Sequence, residues 1–393
     1  MGYDFDKVIP RRGTNCAKFD AAAERGLPAD ILPLWVADMD FQAPECVLEA
    51  LNKAVEHGIF GYSILGGGYF PAVANWFRGH FGWEVREDWL VITPGVVFAL
   101  AAAVRVATKP GDKVLVQPPV YYPFYNVVRE NGRSIVESPL VYQDGRYTID
   151  FEDFEAKLRD NDVKLFILCS PHNPVGRVWT REEQRKLGAL CRRYGVKVIS
   201  DEIHCDFAFP EHPHTPFAVA CPEMAEDTIV CTAPSKSFNL AGLQVSNIFI
   251  PGEALRQAYR QEMTRIHYGE PNRLGAIACQ AAYAGAGEWL EACKAYMREN
   301  LCYVREFLAA RLPKIRLVEP EGTYFAWLDC TALGLSGEEL DALVIREAGL
   351  WLDTGGMFGA CAEKFQRVVL ACPRATVKEA LERLEAAVNG RGL

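Results

Sequence analysis

The chain has 393 residues, half of them hydrophobic, with 42 basic against 51 acidic side chains and a net charge of −9. That length supports an ample core and two domains, while the acidic balance and lack of any basic run exclude nucleic acid and anionic membrane as expected partners. Thirteen cysteines without a C-x-x-C pair suggest neither a zinc site nor a disulfide framework, and the N-terminus MGYDFDKVIPRRG has no apolar core of a signal peptide, so reduced thiols in a cytoplasm are expected.

In chain order, Trp89–Thr93, Lys113–Gln117, Lys164–Cys169, Val196–Ser200, Thr228–Thr232 and Val245–Ile250 read as short core strands, with helical patterns between several of them. Val97–Ala107 reads as a helix beginning directly after a strand; it contains Arg105 and is too short to span a membrane. Thr180-Arg-Glu-Glu183 is a capping box opening a helix that Gly195 closes. From about Gly287 follow a long helix, strands at Gly322–Leu328 and Val368–Cys372, and a final helix opened by Thr376-Val-Lys-Glu379. The expectation is an α/β fold: a large domain over residues 52–286 with a mostly parallel sheet and right-handed crossovers, and a smaller α+β domain from residues 1–51 plus 287–393. Gly66-Gly67-Gly68 fits neither a dinucleotide fingerprint nor a P-loop. The His212-Pro213-His214 pair reads as a prolyl surface loop, so no metal site is expected.

Three strands run directly into polar residues: Cys169 into Ser170-Pro171-His172-Asn173-Pro174, Ser200 into Asp201-Glu202-Ile203-His204, and Thr232 into Ala233-Pro234-Ser235-Lys236. Ligands of open α/β sheets bind at the carboxyl ends of strands, so Asn173, Asp201 and Lys236 are expected to converge on one crevice. Pyridoxal 5'-phosphate (PLP) needs such a set: a lysine amine for its Schiff base and an acid for its ring nitrogen. Opposite charges about 4 Å apart at an effective dielectric near 20 interact by about 4 kcal/mol, enough to keep that nitrogen protonated. Singly, each residue has an ordinary reading as a loop lysine, a helix cap or a turn; their joint occurrence in order is the signal.

The segments PLWVADMDF (33–41), GYS (61–63), ITPGVV (92–97), PPVYYPF (118–124), SPHNPVGRVW (170–179), SDEIHCDF (200–207), PSKSFNLAGLQ (234–244) and ACPR (371–374) resemble, in this order, the fold-type I PLP enzymes of the class I/II aminotransferase type, and within them the cystathionine β-lyase (C-S lyase) branch. The resemblance implies that Lys236 is the Schiff-base lysine and proton shuttle, that Asp201 pairs with the ring nitrogen, Asn173 bonds the ring hydroxyl, Tyr121 stacks on the ring, and His204 marks the lyase branch. It further implies a phosphate cradle at Gly95, Val96 and Val97, helped by Ser235 and by Tyr62 from a second subunit of a homodimer. Ala37, Asn173 and Arg374 would contact the substrate, with Arg374 clamping its α-carboxylate. Ala233 and Gln244 stand where many relatives have a hydroxyl residue and an Arg on the phosphate, and Val369 where an Asn is frequent. The implied activity is β-elimination from L-cystathionine or related cysteine S-conjugates. An aminotransferase sharing the same early steps, and a PLP-holding regulatory protein that docks a partner, are the alternatives.

Overall fold

The computed structural model describes residues 2–393. Its centre is a seven-stranded sheet built from β1 (Leu90–Thr93), β2 (Lys113–Val116), β3 (Ser134–Glu137), β4 (Val163–Cys169), β5 (Lys197–Asp201), β6 (Thr228–Thr232) and β7 (Ser246–Phe249), in the spatial order β1-β7-β6-β5-β4-β2-β3. Only β7 runs antiparallel to its neighbours. The middles of the central strands are apolar on both faces, as strands covered by helices on either side require, with polar residues at their ends. Ile199 and Ile229, side by side in register, are fully enclosed, and truncating such a side chain to Ala typically costs ~2–5 kcal/mol. The capping box predicted at Thr180 is present: Glu183 N–H donates to the Thr180 hydroxyl (3.1 Å), Thr180 N–H donates to the Glu183 carboxylate (2.8 Å), and Gly195 ends the helix at φ +66°.

A four-stranded antiparallel sheet, in the order Arg316–Val318, Phe325–Asp329, Phe365–Val369, Asp353–Thr354, packs with the helices Gly287–Arg311 and Arg374–Gly390 around a second core. The N-terminal segment joins this part of the molecule through a parallel pairing of Leu32–Pro33 with Leu350–Trp351.

Several expected boundaries shift. The strand expected from Gly322 begins at Phe325, since Gly322 makes only an isolated antiparallel bridge to Ala208 and the chain bends at Thr323, whose φ is +70°. The strand expected at Val368–Cys372 is Phe365–Val369, because its apolar register pairs with 325–329; beyond it, Ala371 carbonyl accepts from Asp40 N–H (2.9 Å). The last helix starts at Arg374 with Pro373 as its cap, leaving Thr376 inside the first turn. Edge strand β3, absent from the expected strands, has exposed residues at both ends and hence a weak apolar pattern. Among the described residues no helix is long and apolar enough to cross a membrane.

Candidate functional site

Four strand ends meet in one cavity of about 410 Å³. β1 ends at Thr93, and after Pro94-Gly95 the chain turns into the helix Val96–Ala107. The first amide of that helix to bond back is Ala99, on Gly95 carbonyl (3.0 Å). Val96, Val97 and Phe98 therefore line the cavity with unused N–H donors at the positive end of the helix. β4 delivers Asn173 through its Ser170–Pro174 turn, β5 ends on Asp201 itself, and β6 leads through Ala233 into the single turn Pro234–Ser237 that holds Ser235 and Lys236. Tyr121, Ile203, His204, Gln244 and Ala37 complete the wall.

Lys236 Nζ donates to Ala37 carbonyl (2.7 Å). Enclosure lowers its pKa from 10.5 to about 8, with Asp38 and Asp201 opposing and Arg367 assisting that shift. Burial raises the Asp201 carboxyl to about 7, against the Ile203 N–H that it accepts (3.2 Å) and the charge of Lys236. His204 is pushed well below its ordinary value by burial and by the cations Lys236 and Arg367; its Nδ1 has no hydrogen-bond partner. The Tyr121 hydroxyl is driven upward by burial and remains neutral. Cys169, also on the wall, accepts from Asn173 N–H through its sulfur (3.4 Å).

The expected substrate arginine is corrected. Arg374 lies outside the cavity: its Nε donates to Asn300 Oδ1 (2.5 Å), its backbone N–H to the Tyr296 hydroxyl, and its side chain is about a third exposed. The start of the C-terminal helix carries it away from the strand ends. Arg367 is the arginine at the site, 2% exposed, with Nη1 donating to Asn173 Oδ1 (2.8 Å) and Nη2 to Trp35 carbonyl (2.8 Å) and to the Asp353 carboxylate. Its Nε has no partner. The sequence signal was available, a buried-strand arginine beside Val368 and Val369, but its partners stand 194, 332 and 14 residues away.

Tyr62 is also outside this cavity, 98% exposed on the loop between the helices Glu45–His57 and Tyr69–Phe81. That loop presents Ile59, Phe60 and Ile64 to solvent as well, and Tyr62 shares a neighbouring groove with Pro94 and Gln244, two residues of the cavity rim.

The donor set suits a flat phosphorylated group with a basic ring nitrogen. Free helix amides and the Ser235 hydroxyl match a phosphate; a buried acid held near 7 by burial, against the charge of Lys236, matches a cationic nitrogen; and a partly neutral amine shares the cavity.

A family model described as aminotransferase class I and II matches residues 29–384. Cystathionine beta-lyase PatB of Bacillus subtilis is 44% identical over 386 residues, covering 98% of this chain and all of that protein. Cystalysin of Treponema denticola, whose crystal structure contains a pyridoxal 5'-phosphate cofactor, superposes with a TM-score of 0.95 at 36% identity over the full length of both chains. The PLP-bound C-S lyase from Staphylococcus hominis, complexed with L-cycloserine, gives 0.93 at 35% identity over 99% of this chain and 98% of its own.

Proposed function

This chain belongs to the class I and II aminotransferase family, and on that premise we propose that it is a PLP-dependent carbon–sulfur β-lyase, cleaving L-cystathionine or another cysteine S-conjugate to thiol, pyruvate and ammonia. The observation that carries the reading is the placing of a lysine with a pKa near 8 and a buried acid near 7 in one cavity beside free helix amides, in a chain whose relatives are C-S lyases.

When bound, the cofactor supplies an electron-accepting ring conjugated to the substrate's Cα. The N–H groups of Gly95, Val96 and Val97, with that of Phe98 beside them, and the Ser235 hydroxyl would hold its phosphate. Asp201 would keep a proton on the ring nitrogen, Tyr121 would cover a ring face, and Asn173 would donate Nδ2 to the ring hydroxyl while its Oδ1 stays on Arg367. His204, neutral because burial pushes it well below its ordinary value, would stand near the ring hydroxyl. Arg367, in place of Arg374, binds the α-carboxylate. The Lys236 amine would take the proton from Cα, and the electron pair of that C–H bond would become the Cα–Cβ double bond as the Cβ–S bond breaks with its pair leaving on sulfur. The released three-carbon enamine hydrolyses to pyruvate and ammonia.

Tyr62 is assigned to the phosphate of a second subunit, so the working form is a homodimer; the exposed apolar loop beside the cavity rim supports this. The division into residues 52–286 and 1–51 plus 287–393 is supported by the pairing of Leu32–Pro33 with the C-terminal part. A cytoplasmic setting accords with thirteen unpaired thiols.

The test is pyruvate release from L-cystathionine by the PLP-loaded protein without any 2-oxo acid. Many turnovers per site are expected. Strict dependence on a 2-oxo acid would instead establish the aminotransferase reading.

A further inference from the structure

The segment Trp35–Phe41 touches the site at alternate residues. Trp35 carbonyl accepts from Arg367 Nη2 (2.8 Å), and Ala37 carbonyl accepts from Lys236 Nζ (2.7 Å) and from the Tyr324 hydroxyl (3.0 Å). Met39 N–H donates to Asn239 Oδ1 (3.0 Å), while Asn239 Nδ2 donates to the carbonyls of Met39 (3.0 Å) and Phe41 (2.9 Å). The intervening carboxylates go to a different set of partners: Asp38 and Asp40 pair with Arg11 (2.6 Å each), and Asp40 with the buried Lys18 (2.9 Å). One short segment thus bonds both functional cations, while its acidic side chains are tied to the N-terminal arm.

Asn239 stands three residues beyond Lys236 and some 200 residues from the segment it grips. Its φ is +58°, a left-handed conformation that Asn tolerates better than most residues and that costs other side chains on the order of 1 kcal/mol. All three of its side-chain bonds go to this one segment. An amide is required: an acceptor-only carboxylate would face two carbonyls.

We propose that Asn239 is a positioning residue: it clasps the segment Trp35–Phe41 onto the lysine-bearing loop, so that Ala37 carbonyl is held as the acceptor of the Lys236 amine at a fixed distance from Arg367. The inference rests on the lyase reading for the role of Lys236 but not for the existence of the clasp. A carbonyl oxygen stabilises the ammonium more than the neutral amine, so releasing it lowers the lysine's proton affinity. The other charged or titratable groups facing that amine are Asp38, Asp201, Arg367 and His204; Asp38 lies on the clasped segment, so its release lowers the lysine's proton affinity in the same direction, while the other three stay in place.

The test uses Asn239→Ala and Asn239→Asp, with Arg11→Gln as a milder variant that loosens the segment from its far side. In cofactor-free protein, amide hydrogen exchange over residues 37–41 is expected to accelerate at least tenfold in both Asn239 variants while the central sheet stays protected. The pH midpoint for acylation of Lys236, read by mass spectrometry, is expected to fall by half a unit or more. In loaded protein kcat is expected to fall at least tenfold with KM changing less than threefold; Arg11→Gln accelerates exchange over the same residues by less, and its lysine midpoint is no measure of the clasp because the substitution also unmasks the Asp38 charge. Faster exchange with an unmoved lysine midpoint and unchanged kcat would reduce the clasp to a structural tie and overturn the proposal, as would unchanged exchange. If the wild type releases no pyruvate, the lyase reading fails, whereas the exchange and acylation results still decide the clasp.

Discussion

Replacing Asp201 by Asn removes a buried negative charge while keeping its shape and the acceptor for Ile203 N–H. In the cofactor-free protein this should be stabilising. The acid's pKa is 3.8 ordinarily and about 7 when folded, so it holds its proton more tightly in the folded state, and stability present below pH 4 is lost as pH rises through 7. At 1.36 kcal/mol per pH unit the cost above pH 7 is about 4 kcal/mol, a figure that already includes the opposing charge of Lys236. Urea unfolding of cofactor-free protein should therefore show Asp201→Asn more stable than wild type by up to ~4 kcal/mol at pH 8 and by nearly nothing at pH 4. With PLP present the order should reverse, since the acid then meets a cationic ring nitrogen. Equal stability of the two cofactor-free proteins at pH 8 would refute the reasoning that burial raises the Asp201 carboxyl more than Lys236 lowers it.

Lys236→Ala should abolish pyruvate release while circular dichroism and the urea midpoint stay close to wild type. Arg367→Ala should raise KM for the amino acid at least a hundredfold, a loss of roughly 3 kcal/mol for a charge-assisted pair, whereas Arg374→Ala should leave KM within about threefold; the reverse outcome in steady-state kinetics would restore Arg374 to the site. Tyr62→Phe should weaken PLP binding severalfold in equilibrium dialysis, and sedimentation of the wild type should give a dimer; an active monomer would remove Tyr62 from the cofactor.

What the sequence made legible was set by local chemistry. Strands Val163–Cys169 and Thr228–Thr232 carry the apolar runs Leu165–Cys169 and Ile229–Cys231, and the polar residues that follow fall where the sheet ends; that is why Asn173, Asp201 and Lys236 could be placed together from spacing alone. The resemblance supplied the chemistry to go with the placement. Arg367 escaped because an arginine inside a strand is recognisable only through Asn173, Trp35 and Asp353, contacts that depend on how two sheets face one another. Tyr324, which shares Ala37 carbonyl with the lysine, escaped for the same reason. The start of the last helix was misread because Thr376-Val-Lys-Glu379 has the spacing of a capping box although Pro373 already fixes the entry.

The sheet and the covering segment divide the labour of this site unequally. Lysine, acid and phosphate cradle all belong to one hydrogen-bonded sheet and its immediate turns, whereas the wall at Ala37 and the arginine come from elements outside that sheet. Electron withdrawal can then be inherited as a unit, while the choice of what departs from Cβ, or whether anything departs, is open to change in residues outside the main sheet's hydrogen-bonded strands. Divergence between elimination and amino transfer would on this ground accumulate in the covering segment and the smaller sheet first, leaving the central strands as an almost neutral chassis.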